Sequence, residues 1–268
     1  MKKILVILIF IMTPTFLELD CHAQQDRKLS VNGYVLTTKE ITLMRSLVYE
    51  DIICYANGNE SLKEISKFYP PRLSIEVLQR DYNANEVKAD IKYRNKCILL
   101  YGVIASISRG LGDIYYLLLS NGINAYNNVH VAMADGFVEY LATLEKGRSI
   151  TLYCKVHGMM LGTVAAEDCL PIQNWAETAL DEVCSGITTE AENKEIESMK
   201  IVFYFIGLSQ VVPDGCYQIS DKIEFAKCVQ RSKAFEPKVL SDPRIWKNTS
   251  EKLGYDLETL KTRQPSKK

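Results

Sequence analysis

Apolar and polar residues alternate along several short stretches in the middle of the chain, between residues 96 and 169. Alternation with a period of two is typical of β-strands, because successive side chains point to opposite faces. A segment with helical spacing separates the third of these stretches from the fourth. The pattern predicts strands at 96–107, 114–119 and 128–133, a helix at 135–146, and two further strands at 149–157 and 163–169.

Apolar residues at helical spacing lie on both sides of this central region. Thr37 and Glu40 have the spacing of a capping box, which predicts that a helix begins there. Further helices are predicted at 60–68, 74–93, 171–187, 199–212 and 219–233. The inner side of the 74–93 helix is predicted to carry Ile75, Leu78, Tyr82, Val87, Ala89 and Ile91. Residues 237–268 are polar, and we expect the chain to fray after Leu260.

A lead-in helix, three strands, a short helix and two more strands are the element order of an OB-fold. The predicted fold class is therefore α+β: a five-stranded OB-fold β-barrel with N-terminal helices and a C-terminal helical region. The predicted division of the chain is a signal peptide at 1–23, an N-terminal helical segment at 24–81, the OB-fold domain at 82–170 and the C-terminal helical region at 171–268.

The first barrel strand is apolar on both faces. One face carries Ile98, Leu100 and Ile104, and the other carries Leu99 and Val103. In a strand with one face exposed to solvent, polar residues normally alternate with apolar residues. Either a second layer packs on the outside of the barrel or an exposed ligand groove lies there, and we favour the covering layer.

The first residues have the order of a secretory signal peptide. Lys2 and Lys3 precede an unbroken apolar run at 4–12, and small residues end at Ala23, where we predict cleavage. A membrane anchor is the first alternative, but the run is well short of the roughly 20 apolar residues that a spanning helix needs. Lipidation of Cys21 is the second, and Asp20 before it disfavours this. We expect a soluble periplasmic or secreted protein whose mature chain starts at Gln24.

Cysteine content supports this compartment. Seven cysteines remain after the predicted cleavage, and an oxidising environment favours disulfides. Antiparallel pairing of the last two strands predicts a bridge between Cys154 and Cys169, and Cys216 with Cys228 is the second candidate pair. Cys97 is predicted on the opposite barrel face from Cys154 and is not paired with it. The alternative is that all are buried free thiols.

The sequence contains few residues that carry catalysis. It has no GxSxG or P-loop motif, and no HExxH spacing surrounds His130 or His157. Glu167 and Asp168 are adjacent in a strand, so they are predicted to point to opposite faces and not to act as a pair. We therefore predict a non-catalytic protein with no cofactor and no metal site.

OB-folds usually bind ligands on the second and third strands and at the neighbouring loops. The corresponding candidate binding residues are Tyr101, Arg109, Tyr115, Tyr116, His130, Lys155 and His157. Aromatic rings among basic residues could stack nucleic-acid bases. However, the formal net charge is only −1, which gives no steering toward phosphates, so nucleic acid is not the expected ligand. The alternative is that these tyrosines belong to the core or to an interface.

Two motifs show a family resemblance. Asn85-Glu86-Val87-x-Ala89-Asp90-x-Lys92-Tyr93, followed by an apolar strand with Gly102 and Ile104, resembles the opening of the tRNA-anti-like OB-fold family. Leu144-Glu145-Lys146-Gly147-Arg148-Ser149-Ile150, then Cys154 and Asp168-Cys169, is similar to its closing half. The resemblance covers about residues 82–169. It implies an OB-fold and an exported bacterial protein, and it does not imply tRNA binding.

Two functional hypotheses remain. The first is an exported, non-catalytic OB-fold protein of the bacterial periplasm that binds a protein, peptide or glycan. The second is a periplasmic inhibitor or immunity protein that acts through the helical C-terminal region. Residues 205–208 and 214–216 faintly resemble small disulfide-bearing immunity proteins, but this likeness is too short to assign residues.

Overall fold

The computed structural model of the protein describes residues 29–109, 115–122, 128–160, 162–232, 234–235 and 242–255. The predicted signal peptide lies outside the described residues. The described strands are β1 Ser30–Val31, β2 Tyr34–Val35, β3 Arg72–Ser74, β4 Cys97–Arg109, β5 Tyr115–Ser120, β6 Asn128–Met133, β7 Ser149–Met160 and β8 Thr163–Pro171. The described helices are α1 Thr38–Ala56, α2 Lys63–Ser66, α3 Ile75–Ala84, α4 Glu86–Tyr93, α5 Val138–Ala142, α6 Ile172–Glu192, α7 Ile196–Ser209, α8 Lys222–Arg231 and α9 Pro243–Leu253.

Five strands close into an OB-fold barrel, as the sequence predicts. The strand order is β4-β5-β6-β8-β7, and β7 pairs again with β4 to close the barrel. The pairing of β6 with β8 is parallel and the other barrel pairings are antiparallel. β4 reaches both neighbours because its first half pairs with β7 and its second half pairs with β5. The inward residues of these strands form one apolar core.

Gly102 lies where β4 passes from one neighbour to the other. A Cβ atom at this position would lie 2.5 Å from the Ile75 side chain and 3.0 Å from the Ser120 carbonyl oxygen. Real Cβ atoms essentially never come this close to other atoms, so glycine allows α3 to pack directly on the bend of the barrel. The short strand β3, which the alternation pattern did not predict, runs parallel to β4 just before this bend.

The predicted helix at 74–93 is wrong, because it is two helices. Asn85 has extended backbone angles (φ −166°, ψ 102°) and ends α3, while its side chain accepts a hydrogen bond from the Lys88 amide and begins α4. The break rotates α4 relative to α3. Val87 and Ile91, which were predicted to face inward, are therefore 72% and 76% exposed.

A hydrogen-bonded carboxylate holds the two helices together. Asp81 Oδ2 accepts from the Tyr93 hydroxyl at 2.6 Å and from Lys92 Nζ at 2.9 Å. These bonds, the Tyr93 bond first, lower the pKa of Asp81 to about 2. A carboxyl group with a depressed folded-state pKa stabilises the fold above its unfolded pKa, and this contribution disappears as the pH falls through the folded value.

We expect the Asp81→Asn variant to lose about 1 kcal/mol of unfolding free energy at pH 7, where the partly exposed carboxylate is screened. The difference from the parent should shrink between about pH 4 and pH 2, where Asp81 is protonated in the parent. Urea unfolding at several pH values measures this. Tyr93→Phe should show part of the effect, and Tyr140→Phe, whose hydroxyl meets no described carboxylate, should show none. A difference that is constant with pH would contradict this assignment.

The helices form an apolar core that is discontinuous in sequence. Residues of α1, which precede the barrel, pack with α6 and α7, which follow it. Leu99 on the outer face of β4 belongs to this helical core, and the ring of Tyr153 on β7 stacks on Trp175 of α6 at 5.2 Å. The predicted covering layer is thus confirmed at Leu99, whereas Cys97 at the start of the same strand is exposed.

The polar tail contains a helix that the sequence analysis did not predict. Trp246 of α9 stacks on Phe203 of α7 at 5.4 Å and lies directly over Gly207. Asp242 caps α9 through its side chain, and Gly254 ends it in the left-handed conformation (φ 65°). The Asn32 amide donates to the Leu253 carbonyl at 2.7 Å, so α9 also contacts the N-terminal hairpin of β1 and β2.

Candidate binding face of the barrel

Tyr116 and His130 lie together on the outer face of β5 and β6. Their neighbours Leu117 and Val131 are fully buried in the barrel, so the alternation of the strands turns Tyr116 and His130 outward. The two rings stack with their centroids 5.5 Å apart and their planes at 29°. They form one flat aromatic surface on the strands where OB-folds usually bind.

A second group of the candidate residues lies on β7 and β8. Cys154 and Val156 point into the barrel, so Lys155 and His157 point outward. Both contact Glu167: Lys155 Nζ lies 3.1 Å from Glu167 Oε1, and His157 Nδ1 lies 3.0 Å from Glu167 Oε2. The hydrogen bond from Lys155 is the main cause that lowers the pKa of the Glu167 carboxyl.

The prediction that Glu167 and Asp168 point to opposite faces is wrong. Asp168 has a left-handed backbone (φ 52°), and the pairing of β7 with β8 shifts by one residue at this point. This β-bulge turns the Asp168 carboxylate to within 4.0 Å of Lys155 Nζ, on the side of Glu167. Lys155 therefore lies near two carboxylates.

These two groups lie on one outer surface, which we call the barrel face: Tyr116, His130, Lys155, His157 and Glu167. The parallel pairing places His130 beside Ala165, two residues before Glu167 on β8. Val164 and Ala166 are buried, so Ala165 and Glu167 share the outward side. The small side chain of Ala165 thus lies between the stacked rings and the charged cluster, so the surface between them is shallow.

The other candidate residues do not join the barrel face. Tyr101 lies on β4, and the Arg72 guanidinium covers its ring at 3.8 Å from the centroid. Tyr115 packs partly against the barrel core, as the alternative interpretation of the tyrosines expected. Arg109 lies opposite Tyr115 at the end of β4. The turn residues 110–114 and Leu161, which the sequence associates with this region, lie outside the described residues.

Glu167 is the functional candidate that sequence reasoning missed. By strict alternation Glu167, two residues before the inward Cys169, is expected on the inward face of the fifth strand. The register that pairs Cys154 with Cys169 places Asp168, not Glu167, beside Lys155, and the β-bulge at Asp168 is what brings Glu167 there.

Both predicted cysteine pairs lie at disulfide distance. The sulfur atoms are 2.10 Å apart in Cys154–Cys169 and 2.08 Å apart in Cys216–Cys228. The remaining described cysteines differ in accessibility: Cys97 is exposed, Cys54 is half-buried and Cys184 is buried. Cys97 is the cross-strand neighbour of Lys155 and lies at the border of the barrel face.

We expect native alkylation to modify Cys97 at least about tenfold faster than Cys184, because the thiolate is the reactive form and access is required. Burial raises the pKa of the Cys184 thiol to about 12 and also raises that of Cys54. Timed labelling with iodoacetamide and mass spectrometry of the peptides gives the order. Cys97→Ala should remove the fast phase, and rapid labelling of Cys184 in the folded protein would contradict the packing of α6.

The barrel face offers an aromatic surface, imidazole groups, a carboxylate and an ammonium group. Such groups bind a ligand by stacking and by directional hydrogen bonds. Among the described residues, no three metal-ligating side chains come together in a way that could hold an ion. Within the described part of the chain, no helix has the length and apolar character needed to cross a membrane.

The chain is similar to one protein family and to a solved structure. No curated protein matches the chain. A solved structure from Klebsiella pneumoniae, described as that of a proposed nucleic acid-binding lipoprotein, is similar at 18% sequence identity and a TM-score of 0.33, over 38% of this chain and 90% of that one. The model of the tRNA_anti-like family matches residues 1–170, which include every strand of the barrel except the last residue of β8. The chain therefore belongs to the tRNA_anti-like family.

Proposed function

We propose that this chain is an exported, non-catalytic OB-fold binding protein of the bacterial periplasm, which binds a protein, peptide or glycan on the barrel face. The main support for the proposal is that the aromatic and the charged residues of the barrel face form one continuous surface. The stacked rings of Tyr116 and His130 and the Lys155–Glu167–His157 cluster come from four adjacent strands. Export is supported by the signal-like order of the first residues and by the two cysteine bridges.

The charges of the barrel face favour these ligands over nucleic acid. Affinity for phosphates needs clustered cations and falls steeply with salt. Lys155 is already bonded to Glu167 and lies near Asp168, so its charge is largely compensated. A balanced surface with a stacking platform instead suits a neutral or mixed-charge ligand that exchanges hydrogen bonds with the imidazole and carboxylate groups.

The experiment is capture from periplasmic extract and from peptide and glycan arrays by the mature chain, residues 24–268. Tyr116→Ala and His130→Ala should each weaken capture of the recovered ligand about tenfold or more, as expected for central contacts of an interface. Tyr101→Ala is the matched control. The Tyr101 ring also lies on a barrel strand and contacts a nitrogen-containing group, the Arg72 guanidinium, but it lies outside the barrel face. It should leave binding unchanged.

Two outcomes would overturn the proposal. The first is equal binding of the ligand by the parent chain and the Tyr116→Ala and His130→Ala variants. The second is sub-micromolar affinity for single-stranded oligonucleotides at physiological salt, measured by fluorescence anisotropy. The inhibitor hypothesis stays a prediction, and it differs in that substitutions on the C-terminal helices, not on the barrel face, would abolish capture.

A further inference from the structure

The helical part of the molecule contains a cavity that is separate from the barrel face. Its volume is about 500 Å³, within the range of small-molecule binding sites. Residues of helices α1, α7 and α8 line it, together with Leu62 and Phe235. The barrel strands contribute no residue to it among the described lining.

The cavity lies between α1 and α7, whose lining residues face each other. Glu197, Ile201 and Tyr204 lie on one stripe of α7, at intervals of four and three residues, and face Leu47 and Glu50 of α1. The apolar members of both stripes form the floor. The charged lining residues Glu197 and Lys200 are partly exposed and lie at the rim.

One wall of the cavity is aromatic. The ring of Tyr204 lies 6.3 Å from that of Phe235, and Phe205 on the next position of α7 is also part of the lining. Burial raises the pKa of the Tyr204 hydroxyl. In the described part of the chain, no group accepts a hydrogen bond from this hydroxyl, so a ligand can do so.

The rim is predominantly acidic among the described lining residues. Glu50, Asp51 and Glu197 bring three carboxylates to the described lining. Asp51 accepts hydrogen bonds from the Leu62 amide and the Tyr69 hydroxyl, and Glu197 Oε1 lies 3.0 Å from Lys200 Nζ. The Glu50 carboxylate is bonded to the neutral amide of Gln230, at 2.9 and 3.1 Å. Its charge is thus held at the rim by a group that does not neutralise it.

We propose that this cavity is a binding site for a small amphipathic organic cation. The apolar body of the ligand packs on Leu47, Ile201 and the aromatic wall. Its ammonium group lies at the rim between Glu50 and Glu197. Aromatic faces beside carboxylates are the surroundings that organic ammonium groups favour, because both attract positive charge.

The test uses three probes that share one apolar body: 4-phenylbutylamine, 4-phenylbutan-1-ol and 4-phenylbutanoate. Titration calorimetry with the mature chain at low salt should give a dissociation constant about tenfold lower for the amine than for the alcohol, and the carboxylate should bind weakest. Raising the salt to about 1 M should reduce the preference for the amine, because it screens exposed charges. The alcohol should be little affected.

Charge-neutral variants locate the site. Glu50→Gln and Glu197→Gln should each weaken amine binding by up to about fivefold, the size of one partly exposed ion pair, and leave alcohol binding unchanged. Glu224→Gln is the matched control, because Glu224 is paired with Lys227 at the same i, i+3 spacing and lies outside the cavity. Equal affinities for the three probes, no binding of the amine at millimolar concentration, or an equal effect of Glu224→Gln would overturn the proposal. Barrel-face variants such as Tyr116→Ala should not affect amine binding, so this test is independent of the proposed function.

Discussion

A chain of residues 24–268 with both Cys154→Ala and Cys169→Ala is expected to lose about 3–5 kcal/mol of unfolding free energy. The bridge spans 15 residues, and closing a loop of that length removes about 3 kcal/mol of chain entropy from the unfolded state. Both cysteines are fully buried in the barrel core, so replacing them by alanine also removes packed sulfur atoms. Urea unfolding of oxidised protein at neutral pH measures the loss.

Two controls separate the bridge from a general effect of cysteine removal. Cys97→Ala removes an exposed thiol and should change the unfolding free energy by less than about 0.5 kcal/mol. Adding reductant to the parent breaks this bridge together with Cys216–Cys228, so the loss should be at least that of the double variant. In the double variant, reductant should cost only the contribution of the Cys216–Cys228 bridge. An unchanged parent under reducing conditions would show that the hairpin of β7 and β8 does not depend on its bridge.

Replacing Glu40 by alanine is expected to cost about 2–3 kcal/mol, because it removes the buried acceptor of three hydrogen bonds, one of them from the partly exposed ammonium of Lys252. The Glu40 side chain is only 1% exposed, and it accepts from Lys252 Nζ at 2.9 Å, from the Tyr34 hydroxyl at 2.9 Å and from the Thr37 amide at 2.8 Å. The substitution leaves the ammonium of Lys252 and two neutral donors without their common acceptor. Denaturant unfolding and the melting temperature measure the effect.

The neighbouring residue supplies the control for this prediction. Lys39 pairs with Asp214, but both side chains are mostly exposed, so Lys39→Met should cost less than about 1 kcal/mol. Lys252→Met should destabilise more than Lys39→Met, because it leaves the Glu40 carboxylate buried without its cation. If Glu40→Ala and Lys39→Met had the same effect, the contact between α1 and α9 would not be a stabilising one.

The barrel could be predicted from the sequence because its signals are local. The period of two identifies each strand, and the turn near Met160 sets the antiparallel pairing of β7 with β8, which is why the Cys154–Cys169 pair could be predicted. The capping box of Thr37 and Glu40 likewise forms as predicted and begins α1. In each case the residues that predict the structure lie within one strand, one hairpin or one helical turn.

The features that were missed depend on contacts between distant segments or on weak local signals. Asn85 breaks a helical pattern that is otherwise continuous, and only its ability to cap α4 indicates the break. Helix α9 has few apolar residues, and its position is set by the groove of α7 that receives Trp246; its Asp-Pro start and Gly254 stop were the available signal. The barrel face required combining the pairing of four strands, which the sequence does not specify.

The discontinuous helical core constrains the order in which the protein can fold. As the chain is synthesised from its N-terminus, α1 emerges first, but the helices that cover its apolar side are encoded more than a hundred residues later. The barrel is complete before those helices appear, so it can fold while α1 remains uncovered. During this interval the apolar side of α1 is open to chaperones and to aggregation. A pause in synthesis after β8 but before α7 is complete therefore leaves an exposed apolar helix ahead of a finished barrel.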